Sequence, residues 1–121
     1  MGVTADDLVA LIKSRRFHFE NEDELQQGIA EVLMGAKIEF EREAEIGQGR
    51  VSRIDFMVGS IGLEVKVGGS LKSATKQLYR YAECDPVSEL ILVSSRLFHI
   101  NLPSEMNGKP LQAISLIGSI F

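Results

Sequence analysis

The chain has 121 residues, of which 45% are hydrophobic and 25% are charged; these values predict one globular domain over residues 1–121 with a core that needs no cross-links. Its one cysteine, Cys84, excludes an internal disulfide and a zinc cluster of several thiolates, and favours a reducing, cytoplasmic setting. The net charge of −4 argues against a protein that coats nucleic acid with its whole surface, because such proteins are usually basic.

Neither an export signal nor a membrane helix is expected. Asp6 and Asp7 occupy the stretch in which a signal peptide would carry positive charge. No uncharged apolar run approaches the roughly 20 residues that a membrane helix needs. We therefore expect a cytoplasmic protein without a membrane partner.

Two helices are predicted before residue 36. Thr4 and Asp7 have the spacing of a capping box at the start of the first helix. Asn21 can cap the second helix, with Glu24 as its partner at the third helical position, and Gly35 can end it. Apolar residues with helical spacing support both helices; they are Leu8, Leu11, Ile12, Leu25, Ile29, Val32 and Leu33.

Three strands follow. Residues 38–46 alternate between apolar and acidic side chains, which predicts a half-buried strand with an acidic outer surface. The apolar members, expected on one face, are Ile38, Phe40, Ala44 and Ile46; the acidic members are Glu39, Glu41, Glu43 and Glu45. Residues 51–58 and Gly62–Val67 predict two further strands, joined in a hairpin by the turn residues 59–62.

A third helix and two more strands complete the predicted order. After Gly68-Gly69-Ser70 the apolar spacing becomes helical, with one side formed by Leu71, Ala74, Leu78 and Ala82. Pro86 closes the helical region, and the apolar runs Leu90–Val93 and Leu111–Ile117 predict strands. This order predicts an α/β fold with a central mixed β-sheet flanked by helices.

Positive charge is concentrated in the middle of the chain. Residues 50–80 contain six basic and two acidic side chains, a local net charge of +4 in a chain that is negative overall. This segment can face a polyanion, although a solvated surface explains each individual charge equally well.

The residues with the clearest chemical potential lie in the predicted hairpin. Residues two apart in a strand point to the same side, so Glu64 and Lys66 project together. Asp55 lies on the partner strand, near enough to share a site with Glu64. The opposite, core-facing side of the Glu64 strand is predicted to contain Leu63, Val65 and Val67.

Two carboxylates that converge repel each other unless a cation lies between them. Oxygen ligands with room for water suit Mg²⁺ or Mn²⁺, and such an ion can polarise a phosphodiester and activate a water. Lys66 can orient or deprotonate that water and stabilise the charge of the transition state. A Glu-x-Lys triplet alone is weak evidence, because Glu and Lys on a strand usually form a solvated face; the apolar context of Glu64 strengthens it.

The pattern Ile54-Asp55, then Glu64-Val65-Lys66, then a helix with Gln77-x-x-x-Tyr81 resembles the PD-(D/E)XK nucleases, and within them the small RecB-like and phage-type members. The resemblance covers residues 22–93. It implies a restriction-endonuclease-like fold and metal-dependent hydrolysis of DNA phosphodiester bonds with Mg²⁺ or Mn²⁺. Ile54 stands where the namesake motif has Pro, a position that varies widely in the superfamily.

The resemblance implies a role for each motif residue. The metal ligands would be Asp55, Glu64 and the backbone carbonyl of Val65. Lys66 would be the catalytic lysine. Glu22, in the stretch Glu22-Asp23-Glu24-Leu25-Gln26, matches a helix glutamate that many members add to the metal site. Glu24 is the alternative, although it also fits the role of a cap partner.

Gln77 and Tyr81 are one turn apart and share a helix face. In the nucleases that they resemble, the Gln orients the site and the Tyr supports it, so Gln77 is expected to position Lys66 or the phosphate. A polar helix position and a half-buried aromatic are the structural alternatives. The expected DNA contacts are Arg53, Lys72, Lys76, Arg80 and Tyr81.

Other features carry weaker expectations. The Gly68-Gly69-Ser70 turn can bind a DNA phosphate at the start of the helix, or can simply connect strand and helix. It lacks the lysine of a P-loop, so no nucleotide cofactor is expected. His18 and His99 have no carboxylate or thiol at ligand spacing, and neither is expected to bind metal.

Two other functions stay open. The same fold can serve as a non-catalytic DNA-binding or assembly module that keeps the motif for structural reasons. A Mg²⁺-dependent phosphohydrolase for a small substrate is the weaker alternative, because no base-binding or phosphate-clamp motif is present. Small single-domain nucleases commonly pair to cut both strands, so we expect a homodimer that acts on DNA.

Overall fold

The helices and strands follow the predicted order, with one short strand added. The structure, a computed structural model, describes residues 2–47, 52–95 and 101–116. Its helices are α1 (Ala5–Lys13), α2 (Glu22–Gly35) and α3 (Leu71–Ala82). Its strands are β1 (Glu41–Glu45), β2 (Arg53–Val58), β3 (Ile61–Lys66), β4 (Glu89–Ser94), β5 (Glu105–Met106) and β6 (Lys109–Ser115).

The strands form a mixed sheet in the order β1-β2-β3-β4-β6-β5. The pairs β1–β2 and β2–β3 are antiparallel, β3–β4 and β4–β6 are parallel, and β5–β6 is antiparallel. The prediction of an α/β fold with a mixed sheet flanked by helices is therefore confirmed. Among the described residues, no helix has both the length and the apolar character needed to cross a membrane.

Helices cover both faces of the sheet. Helices α1 and α2 pack on one face, in a core layer that includes Leu8, Ile12, Leu25, Ile29, Leu33, Phe56, Leu63, Val65, Ile91 and Val93. Helix α3 packs on the other face, in a layer that includes Ile54, Met57, Leu78, Tyr81, Ala82, Leu90 and Leu92. The predicted core-facing positions on β3 are confirmed, because Leu63 and Val65 are buried in the α1/α2 layer and Val67 packs against it.

The helix starts are set by local hydrogen bonds. The predicted capping box of α1 is present, with Thr4 and Asp7 bonded reciprocally. Asn21 caps α2 by accepting a hydrogen bond from the backbone N–H of Glu24. The Glu24 carboxylate accepts from the N–H of Glu20, one residue before the cap, rather than from Asn21 as the predicted partner would.

The predicted single-faced strand at residues 38–46 is wrong in one respect. Ile38 and Phe40 pack against the α1/α2 layer, whereas Ala44 and Ile46 belong to the α3 layer. The physical reason is Glu43, whose backbone adopts a left-handed conformation with φ 53° and so breaks the alternation of side chains. The acidic outer surface is confirmed, since all four predicted glutamates are exposed.

One predicted hairpin turn is shorter than expected, and a second hairpin was not predicted. The β2–β3 hairpin uses two residues, Gly59 and Ser60, and Gly59 has the positive φ (59°) that favours glycine. Strand β5 is not predicted from its two residues, although the Asn107-Gly108 pair between β5 and β6 is a strong hairpin signal. Both residues have positive φ, as a type I′ turn requires.

The remaining boundaries differ by a few residues. The last strand, predicted at 111–117, is β6 and begins two residues earlier. Residues 51 and 117, at the ends of two predicted strands, and His99 lie outside the described residues.

Candidate active site

Side chains replace the regular backbone pairing where β2 and β3 approach the end of their ladder. The two strands pair at three positions, the last of which joins Phe56 to Leu63. At the next position the backbone N–H of Asp55 donates to Oε1 of Glu64 at 3.3 Å, and the N–H of Val65 donates to Oδ2 of Asp55 at 2.8 Å. Each carboxylate is therefore fixed by the backbone of the neighbouring strand.

Burial disfavours the charged forms of Asp55 and Glu64. Among the residues that the structure describes, Glu64 is the most deeply buried carboxylate, with 3% of its surface exposed. Burial and, to a smaller extent, the negative charge of Asp55 raise the pKa of Glu64 to about 8, against the lowering effect of Lys66. Burial also raises the pKa of Asp55, and the charge of Glu22 adds to that rise. Without a cation, the pair therefore retains a proton at neutral pH.

Lys66 lies at the open side of the pair. Its Nζ is 3.5 Å from Oε2 of Glu64, and the two side chains are 20% and 4% exposed. The predicted projection of Glu64 and Lys66 to one side of β3 is confirmed by this contact. A substrate or a water that reaches the ammonium group thus lies beside both the lysine and the buried Glu64 carboxylate.

Helix α2 supplies the third acidic side chain. Glu22, its first residue, accepts a hydrogen bond through Oε1 from the backbone N–H of Val67 at 3.4 Å, which places it just beyond the end of β3. Its charge is among the causes that raise the pKa of Asp55. Glu24 is exposed, and its carboxylate accepts a hydrogen bond from the N–H of Glu20. Of the two glutamates, Glu22 is therefore the better placed to join Asp55 and Glu64.

Gln77 and Tyr81 link α3 to the site through one hydroxyl group. Nε2 of Gln77 donates to the Tyr81 hydroxyl at 2.8 Å, and this hydroxyl donates to the backbone carbonyl of Arg53 at 2.9 Å. Burial raises the pKa of Tyr81 above its ordinary value, and the charges of Glu64 and Asp55 add to the rise, so the phenol stays neutral. Gln77 thus fixes Tyr81, and Tyr81 fixes the start of the strand that carries Asp55.

The donor set fits a hard divalent cation. Two neighbouring carboxylates that repel each other, one buried and one half-buried, would both ionise beside a cation. Carboxylate and carbonyl oxygens are the ligands that Mg²⁺ and Mn²⁺ prefer. The backbone carbonyl of Val65 lies between the two predicted functional residues of β3. Within residues 2–47, 52–95 and 101–116, no three His, Cys, Asp or Glu side chains lie close enough together to form a ready cage.

The predicted DNA contacts fall into three structural groups. Arg53 is exposed at the start of β2 and forms an ion pair with Glu45 at 2.9 Å. Tyr81 has 2% of its surface exposed, so its ring is not available to a ligand in this conformation. The exposed basic residues of α3 are Lys72, Lys76 and Arg80.

Arg42 is a cationic side chain that the sequence did not single out. Its guanidinium donates to the side-chain oxygens of Gln27 at 3.1 Å and Gln26 at 3.3 Å, and lies 5.7 Å from the ring centroid of Phe56. No described carboxylate lies within 4.0 Å of it, so its charge is held by neutral partners one turn from Glu22. One sequence signal could have found Arg42: it occupies a position at which the alternation of residues 38–46 otherwise places an apolar side chain.

His18 and the Gly68-Gly69-Ser70 turn carried the weaker predictions. His18 is exposed. In the Gly68-Gly69-Ser70 turn, Gly69 has φ 89° and the Ser70 side chain caps α3 by accepting from the N–H of Ser73. The Ser70 hydroxyl thus serves the helix itself, while phosphate binding by this turn stays a prediction.

Comparison of the chain with protein-family models, with curated proteins and with solved structures gave no significant match.

Proposed function

We propose that this protein hydrolyses DNA phosphodiester bonds with the help of Mg²⁺ or Mn²⁺, on a fold of the restriction-endonuclease-like type. One observation carries the proposal: half-buried Asp55 and buried Glu64 lie side by side, each carboxylate accepting a hydrogen bond from a backbone N–H of the neighbouring strand, and Nζ of Lys66 is 3.5 Å from Glu64. A largely buried pair of repelling carboxylates costs stability unless a ligand compensates it, which favours a functional role over a structural one.

The proposed roles follow from position. Asp55, Glu64 and the carbonyl of Val65 would hold the cation, which when bound lowers the pKa of a water and offsets charge on the phosphate oxygens. Their backbone hydrogen bonds keep both carboxylates oriented before any ligand arrives. Glu22, fixed on the N–H of Val67, would bind through a water or directly.

Lys66 would act on the attacking water and on the phosphate. Its ammonium group is half-buried against Glu64, so it is held in place rather than free in solvent. A positive charge in that position can orient the nucleophile and stabilise the negative charge that develops on the phosphate oxygens. Gln77 and Tyr81 are positioning residues, because their hydrogen bonds end on the Arg53 carbonyl two residues before Asp55.

The substrate backbone would meet cationic side chains around the site. Lys72, Lys76 and Arg80 extend from it along α3, and Arg42 lies beside α2. Neutralising phosphates with such groups makes binding sensitive to salt. The proposed assembly is a homodimer, with one such site in each copy.

The proposal is tested by cleavage of plasmid, linear, single-stranded and branched DNA with Mg²⁺ or Mn²⁺. The wild type is compared with Asp55→Ala and with Asp23→Ala, which removes an exposed carboxylate from the same end of α2. We expect metal-dependent cutting by the wild type and Asp23→Ala, and none by Asp55→Ala. Calorimetric titration with Mg²⁺ should show a binding site that depends on Asp55.

Different outcomes separate the enzyme from its alternatives. DNA binding without cutting, in a chain that folds and binds no Mg²⁺ at Asp55, would favour the non-catalytic DNA-binding module. Cutting that survives in Asp55→Ala would refute the assigned site.

A further inference from the structure

Helix α3 has a basic outer face. Its twelve residues include Lys72, Lys76 and Arg80 and no acidic residue, in a chain whose net charge is −4. These three side chains are spaced by four residues, so they form a ridge about 12 Å long on the exposed side of the helix. The first acidic residue after them is Glu83, at the C-terminal cap.

The charges on this ridge are not compensated by the described part of the protein. None of the three side chains forms an ion pair within 4.0 Å or a side-chain hydrogen bond with a described residue. Lys72 lies in the first turn of α3, where the helix dipole disfavours a positive charge. Arg80 lies in the last turn, where the dipole favours a positive charge. The ridge as a whole is therefore a positive surface without carboxylate partners, and it is complementary to a polyanion.

An exposed aromatic ring lies beside this ridge. Tyr79 is 49% exposed and follows Lys76 by three residues, which places the two on the same side of the helix. It lines a shallow depression of about 490 Å³ with Thr75, Lys76, Arg80 and Glu83. The other large hydrophobic side chain with this exposure among the described residues, Met34, lies on α2 in the opposite layer.

Cations beside an exposed aromatic ring suit single-stranded nucleic acid. Unpaired bases can stack on such a ring while the cations contact the backbone, whereas the bases of a duplex are already stacked on each other. The ridge also begins near the proposed catalytic groups, because α3 follows β3 after a short turn and Lys72 comes six residues after Lys66.

We propose that the outer face of α3 binds single-stranded DNA, with Tyr79 stacking on an unpaired base and Lys72, Lys76 and Arg80 on the phosphates. The inference rests on the proposed nuclease function and narrows its substrate to DNA with unpaired bases beside the cut, such as a single strand or a flap. A second copy of the chain on the same face is the competing occupant, and the oligomeric state of Tyr79→Leu separates the two.

The test measures binding without cleavage. A fluorescent oligonucleotide, as a single strand and as a duplex of the same sequence, is titrated with the protein in EDTA. Tyr79→Leu should weaken single-strand binding roughly tenfold or more and duplex binding less than twofold, while Tyr79→Phe keeps the wild-type affinity. Met34→Ala is the matched control and should bind both DNAs as the wild type does. Lys76→Ala should reduce the slope of log affinity against log salt by about 0.7 for the single strand.

Several results would overturn this inference. One is equal loss of single-strand and duplex binding in Tyr79→Leu; another is no loss of either. A third is a wild-type dimer that Tyr79→Leu converts to a monomer with unchanged DNA binding, which assigns the face to a second copy. Because binding is measured without a divalent ion, Tyr79-dependent binding in a chain that cuts nothing would instead refute the nuclease and leave this DNA-binding face standing.

Discussion

Glu43 lies opposite Asp55 in the β1–β2 ladder, between the pairs Arg42–Phe56 and Ala44–Ile54, and is the residue of β1 with a left-handed backbone. Both strands change their buried face at this point. Phe56 packs in the α1/α2 layer and Ile54 in the α3 layer, although they are two residues apart. At the same position the Asp55 side chain accepts a hydrogen bond from the N–H of Val65. This bond takes the place of the next backbone pair between β2 and β3.

The first prediction concerns Glu43 itself. Glu43→Val places a β-branched side chain at a positive φ and should destabilise the fold by about 1–3 kcal/mol. Because the strand distortion faces Asp55, the variant should also weaken stabilisation by Mg²⁺. Thermal unfolding with and without Mg²⁺ measures both effects. Glu41→Val, on the same strand with ordinary backbone, should be nearly neutral, and an equal loss in both variants would contradict the argument.

Lys66→Ala should abolish DNA cleavage, lowering its rate by at least about 100-fold, while leaving the fold and much of the DNA binding intact. The reason is that the ammonium group touches Glu64 and the proposed substrate position but is not part of the core. Cleavage assays, circular dichroism and DNA titrations measure the three properties. Lys66→Met keeps most of the side-chain volume and should be equally inactive.

An exposed lysine far from the proposed site provides the control for this variant. Lys37, just after α2, is exposed, and Lys37→Ala should cut as the wild type does. Full activity of Lys66→Ala would rule out the proposed role of the lysine.

Stability without a divalent ion should fall as the pH rises. Burial and the charge of Asp55 raise the pKa of folded Glu64 from 4.5 to about 8, so between these values the native state holds a proton that the unfolded chain has released. The unfolding free energy in EDTA should therefore decrease between pH 5 and pH 8, on the order of a few kcal/mol. Mg²⁺ requires the deprotonated carboxylates, so its stabilising effect should grow over the same window.

Glu64→Gln removes the titrating group and should flatten this dependence. Glu41→Gln changes an exposed glutamate of β1 and should keep the wild-type profile. Thermal unfolding at a series of pH values, in EDTA and in Mg²⁺, gives both curves. A wild-type profile that rises with pH in EDTA would have the wrong sign for a buried, repelled carboxylate.

Tyr81→Phe should destabilise the protein by about 1–2 kcal/mol, because it leaves the Arg53 carbonyl and the Gln77 amide without their shared hydroxyl. The cleavage rate should fall more than the affinity for DNA, since the hydroxyl acts through the position of β2. A double-mutant cycle with Gln77→Ala should show that the two losses are not additive. Tyr79→Phe removes an exposed hydroxyl from the same helix and should leave stability unchanged. Additive losses in the cycle would contradict the hydrogen bond through which Gln77 is argued to act on Tyr81.

The sequence by itself determined the local features and the chemical residues. The cap of α1 at Thr4, the α2 cap at Asn21 and the order of the elements follow from signals within a few residues of each other. The projection of Glu64 and Lys66 to one side of β3 follows from the two-residue period of a strand. These relationships depend on neighbours along the chain, so they can be derived before the fold is known.

The tertiary structure alone decided how separate segments meet. The Glu22 carboxylate on the N–H of Val67, the Tyr81 hydroxyl on the Arg53 carbonyl, and Arg42 on the amides of α2 each join residues at least fifteen positions apart. The change of buried face at Glu43 was also hidden, because a left-handed glutamate breaks the alternation on which the strand prediction relied. The periodicity of the sequence predicts on which side of a helix or strand a residue lies. Which residues contact that side depends on how the helices and strands pack together.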